Sequence, residues 1–152
     1  MGVYVTTSKN PSAKTKVLCE ALSLVLPGST REQRGKKSIE QIFRRAKLLG
    51  KRRVVLIYEK NGVPSSICLM KVKAHSWDWV GEELFISKFR IYKLPADLPT
   101  ELIVSGERKE EFEKLFDFEK TEGDDFIELA CGKKELSFSY WGKPLIKLGL
   151  VS

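Results

Sequence analysis

Five consecutive apolar residues, Val54-Val55-Leu56-Ile57-Tyr58, constrain this fold more than any other stretch. The run is rich in β-branched side chains, which favour strands. A strand without a polar position has no face to give to water, so it belongs in the middle of a sheet, covered on both sides. The residues before it read as strand, loop, helix, loop, helix. Val3-Tyr4-Val5 is a short strand, and Thr6–Pro11 is a polar loop. Asn10 is placed to cap a first helix with Pro11 at its first position, where a missing N–H costs nothing. Leu18, Ala21, Leu22 and Val25 fall on one face of that helix, and Pro27-Gly28 end it. Ser29–Arg31 reads as another short strand. Ser38 with Gln41 three residues on is a capping-box pattern for a second helix. Its apolar stripe is Ile39, Ile42, Phe43, Ala46 and Leu49, and Gly50 stops it. After the central run, Asn61-Gly62 predicts a tight hairpin into Ser66–Val72.

The remainder has its own rhythm. His75–Gly81 reads as a connector between two halves, with Trp77 and Trp79 either stacking on bases or sealing a packing interface. Leu84–Tyr92 and Leu102–Val104 read as strands. Glu107–Phe116 reads as a helix with Phe112, Leu115 and Phe116 inward, and acidic residues in its first turns suit the helix dipole. Phe126–Ala130, Leu136–Trp141 and Leu145–Leu148 form a meander. The expected class is α/β, with 1–74 as an N-terminal half and 82–152 as a C-terminal half of one domain of 152 residues.

Charge divides the same way. Residues 1–60 carry 14 Lys or Arg against 4 Asp or Glu, whereas the rest of the chain has a small acidic excess, within a net charge of +7. A polyanion is the natural partner for the first part. Helix 1 has Lys14 and Lys16 in its opening turns, where cations oppose the dipole, and an anion bound there would relieve the conflict. Strand-to-helix loops of parallel neighbours gather on one rim of an open α/β sheet. The loops Thr6–Asn10 and Arg31–Lys37 would then lie side by side. They offer Lys9, Arg31, Arg34, Lys36 and Lys37, the hydroxyls of Thr7 and Ser8, and unpaired helix-start amides, with Lys14 close by. That set can hold a sugar-phosphate backbone without reading sequence. Two solvated basic loops are the plainer alternative.

Other chemistries find little support. Gly35-Lys36-Lys37-Ser38 lacks the upstream glycine of a nucleotide phosphate loop, and its lysine spacing is wrong. Cys19, Cys68 and Cys131 are far apart and His75 is the only histidine, so no zinc site is expected and the thiols should be reduced and buried. Asp124-Asp125 reads as a turn rather than a metal site. No cofactor, no catalysis, no membrane span and no signal peptide are expected; the chain is expected to be monomeric and cytoplasmic.

At Thr6-Thr7-Ser8-Lys9-Asn10-Pro11-Ser12, Leu24–Ser29, Arg34-Gly35-Lys36-Lys37-Ser38 and Val54–Tyr58, the chain resembles the Brix-domain family, in the spacing of its short archaeal members. The resemblance is strongest over residues 3–72. It implies two similar α/β halves, each like the anticodon-binding domain of class II aminoacyl-tRNA synthetases. It also implies a non-catalytic role in ribosome biogenesis, in pre-rRNA processing and subunit assembly. RNA contact would fall on the loops Thr6–Pro11 and Arg34–Ser38. The expected partners are rRNA or pre-rRNA and, in an alternative reading, an assembly protein docked on the acidic half and the Trp77/Trp79 joint. An RNA-processing nuclease is a distant third.

Overall fold

The computed structural model describes residues 2–118 and 121–151. In chain order the elements are β1 (Val3–Thr7), α1 (Ala13–Val25), β2 (Thr30–Arg31), α2 (Ile39–Leu48), β3 (Arg53–Lys60) and β4 (Val63–Val72), followed by β5 (Trp77–Ile91), β6 (Leu102–Ser105), α3 (Lys109–Phe116), β7 (Ile127–Cys131), β8 (Glu135–Tyr140) and β9 (Lys143–Leu150). The strands form a nine-stranded sheet in the order β2-β1-β3-β4-β5-β9-β8-β7-β6. β1 runs parallel to β2 and β3, and β6 runs parallel to β7; the other neighbours are antiparallel. The class is mixed α/β, as expected.

The reason for the unbroken apolar run in β3 is visible in its neighbours. Val55 and Ile57 point into a cluster with Leu18, Leu22 and Val25 of α1. Val54 and Leu56, on the other side, join Ile42, Phe43 and Ala46 of α2. Each of these β3 side chains is thus buried against a helix layer, and alternation has no solvent face to mark. Phe112, Leu115 and Phe116 of α3 belong to the α1-side cluster, so α1 and α3 share one face and α2 covers part of the other. The hairpin after β3 turns at Asn61 and Gly62 with φ of 54° and 76°, the two positive values that a tight two-residue hairpin needs.

Two expectations are corrected here. The first is the connector. Residues 77–81 are strand, and with Leu84–Ile91 they make β5, whose start pairs with β4 and whose end pairs with β9. Gly81, with φ of 68°, sits where β5 carries extra residues opposite Ile67–Leu69, and that break hides the continuity in the sequence. Trp77 accordingly packs on the α2-side cluster and is not a joint between halves. A second irregularity lies between Ile86 and Lys88. Ile86 and Phe89 both belong to the α1-side core although they are an odd number of residues apart, so the extra residue there resets the alternation. Gly149 faces this bulge, and a Cβ on it would lie 2.7 Å from Ser87 Oγ.

The second correction is the cap of α1. Asn10 takes a left-handed turn, φ 54°, and Ser12 is the cap, its hydroxyl accepting from Thr15 N–H. Pro11 therefore precedes the helix. The capping box of α2 forms as expected, with Ser38 and Gln41 each accepting from the other's backbone N–H.

β3 and α3, far apart in the chain, are tied by more than apolar packing. Arg53, at the start of β3, is buried and donates from Nε to Leu115 O at 2.8 Å and from Nη2 to Lys114 O at 3.2 Å. It meets the carbonyl end of α3, where a cation is favoured. Among the described residues no helix is long and apolar enough to cross a membrane.

Candidate nucleic-acid interface

The parallel pairing of β2, β1 and β3 brings the strand-to-helix loops to one rim, and the two basic loops flank a shared groove of about 610 Å³. Thr7, Asn10, Lys16, Arg31, Arg34 and Lys36 are among its lining residues. Lys16 lies outside the set expected from sequence; its place on the same helix end as Lys14 is the signal that could have found it.

The expected site residues have different fates. Lys9, Lys14 and Lys36 are exposed, and none has a hydrogen bond or ion pair with a described residue. Arg31 is exposed and lies 3.6 Å from Glu20. Lys37 Nζ donates to Gln33 O at 2.9 Å, which folds the loop back on itself. Arg34 is not a free cation. Its side chain is buried, with Nε donating to Lys37 O at 2.8 Å and Nη1 to Thr7 O at 3.1 Å. It stitches one loop to the end of β1 and so holds the two sides of the groove together. Thr7 is also buried, and its hydroxyl donates to Ser8 O at 2.9 Å. Ser8 Oγ is buried and has no hydrogen-bond partner among the described residues.

At the start of α1 an anion from within the chain is already present, bonded to the cap residue and not to the first-turn amides. Glu59, at the end of β3, supplies the anion itself. Its Oε2 accepts from Ser12 N at 2.9 Å, Ser12 Oγ at 2.8 Å and Thr15 Oγ1 at 2.5 Å. These hydrogen bonds, led by that of the Thr15 hydroxyl, hold the carboxyl below its ordinary range. The dipole conflict raised by Lys14 and Lys16 is thus answered inside the chain. The groove keeps its exposed cations, and the Glu59 carboxylate stands against the start of α1.

Glu32 is the other acid that sequence reasoning passes over, being set within a basic tract. It accepts from Arg45 Nε at 2.9 Å, from Arg45 Nη2 at 2.7 Å and from the Tyr4 hydroxyl at 2.8 Å. Hydrogen bonding from Arg45, opposed by burial and helped by Tyr4, lowers its pKa from 4.5 to about 2. A carboxyl depressed on folding stabilises the native state above its ordinary pKa, and that support fades as pH falls from 4.5 to about 2. Glu32→Gln is therefore expected to lower the urea midpoint at pH 7, with the gap from the parent closing near pH 2.

No family model matches the chain. A Methanosarcina mazei protein named "Probable Brix domain-containing ribosomal biogenesis protein" is 30% identical over 163 residues, taking in 97% of this chain and 96% of the relative. The chain belongs to the Brix-domain family. A Pyrobaculum aerophilum relative of the same name is 36% identical over 75 residues, and that match covers 49% of this chain and 41% of the relative. The crystal structure titled for a probable ribosomal biogenesis protein of Aeropyrum pernix has the same fold, with a TM-score of 0.84 at 24% identity over 97% of this chain and 94% of that one. The family membership supports a role for this Brix-domain chain in ribosome biogenesis.

Proposed function

We propose that this protein is a non-catalytic ribosome biogenesis factor that holds rRNA or pre-rRNA by its backbone along the β1–α1 and β2–α2 rim. One observation carries the reading. Two basic loops separated in sequence line one groove; Lys16 and Lys36 on its wall, and Lys9 beside its lining residue Asn10, are exposed and have no acidic partner among the described residues. Unpaired cations at this density suit phosphate contact, and no base-reading constellation is needed. Asn10 and the buried Arg34 keep the loops in shape, so little ordering cost falls on binding.

Salt titration tests the reading. Binding to a structured rRNA fragment should weaken linearly on a log–log plot, with a slope of about −3 for roughly three or four phosphates neutralised. A slope near zero, or no binding at low salt, would refute it.

A further inference from the structure

On the α2 side of the sheet, the cluster under α2 takes in Val54 and Met70, and the row they share ends at Trp79, which lies outside that cluster. Trp79 at the end of that row, with Tyr58, Cys68 and Glu83 farther along the same face, lines an open groove of about 440 Å³ that Glu82 also borders. This groove contrasts with the rim in charge and in chemistry. Trp79 is 46% exposed and Phe85, two residues beyond Glu83 on the same face, is 52% exposed. Trp79 is not loose. It meets the ring of Trp77 edge-on at 5.1 Å, and Trp77 Nε1 donates to the Glu40 carboxylate at 3.2 Å.

Glu83 is held in place in the same way. Its Oε2 accepts from the buried Ser66 hydroxyl at 2.5 Å, while the carboxylate makes no ion pair with a described residue. A fixed carboxylate beside an exposed indole and a phenol attracts cations twice, through its charge and through the ring quadrupoles. The same acids repel a phosphate backbone, so RNA is a poor occupant.

We propose that this groove binds an extended, arginine-rich segment of a basic partner protein, with one guanidinium stacked on Trp79 and paired to Glu83. Arginine suits it better than lysine, because a planar guanidinium can stack and bond at once. The proposal does not depend on the RNA reading.

The test uses the full chain and a short synthetic arginine-rich peptide, with glutamate-rich and lysine-rich peptides as controls, followed by fluorescence anisotropy. The arginine-rich peptide should bind, the lysine-rich one more weakly and the glutamate-rich one not at all. Trp79→Ala and Glu83→Gln should each weaken binding about ten-fold, the scale of one stacked or charge-assisted contact. The double variant Lys9→Glu/Lys36→Glu should bind the peptide at least as well as the parent. Glu83→Gln keeps a partner for Ser66 and guards against misfolding in the tryptophan variant. Absence of peptide binding, or equal affinity in parent, Trp79→Ala and Glu83→Gln, would overturn the proposal. So would loss of RNA binding in Trp79→Ala and Glu83→Gln with peptide binding intact, because it would assign the groove to RNA.

Discussion

Arg53→Met is expected to cost about 3 kcal/mol of folding stability, the sum of broken charge-assisted bonds and carbonyls left short of donors. The methionine would fill most of the volume, so the deficit would report the guanidinium and not a cavity. Arg53 donates to the carbonyls of Leu115, Lys114 and Arg52, all from one buried group. Burial pushes its pKa down from the arginine value, yet a guanidinium stays charged at any working pH. Arg52 beside it pairs with Asp117, one residue past the end of α3. Urea denaturation should give a lower midpoint with an unchanged slope, and hydrogen exchange should rise first in α3. A deficit within about 0.5 kcal/mol, the usual range for an exposed site, would mean the tie is idle.

Lys9→Glu/Lys36→Glu is expected to weaken RNA binding about 100-fold near 0.1 M salt and to flatten the salt slope by about 2, one for each phosphate no longer neutralised. Neither lysine has a partner among the described residues, so the melting temperature should stay within a few degrees. That separation makes the pair a better probe than Arg34, whose removal would collapse the loops, or Lys37, whose ammonium braces Gln33. Filter binding across a salt series checks both numbers together. A drop in affinity with the slope unchanged would point to altered loop shape and not to missing charge.

Much of this is legible in the chain because it is local. The central strand announces itself through five apolar residues in a row, and α1 and α2 through stripes that are buried along α1 and at Ile42, Phe43 and Ala46 of α2. The Ser38/Gln41 box spans three residues and forms as written. What escapes is non-local or ambiguous. Glu59 braces the cap of a helix 44 to 47 residues earlier in the chain, and nothing near Ser12 signals it. Asn10 and Ser12 are both good caps, and only the left-handed turn at Asn10 decides between them. Arg34 looks like its neighbours in a basic tract, although a carbonyl on β1 claims it. Glu32, hemmed by cations, looks like a stray acid, and only the fold brings Tyr4 and Arg45 around it. In the second half, Gly81 interrupts a single long strand and makes it look like a linker.

The surplus residue between Ile86 and Lys88 acts as a frame shift written in three dimensions. Were Ser87 pleated like its neighbours instead of bulged, everything downstream on β5 would be turned inside out. Phe89 and Ile91 would face water, and Lys88 and Arg90 would be driven toward the side of Leu148 and the α1-side core. Deleting Ser87 would therefore heal the ladder, leaving Ile86 and Phe89 on one face, whereas inserting one residue between Lys88 and Ile91 would reverse every side chain beyond it.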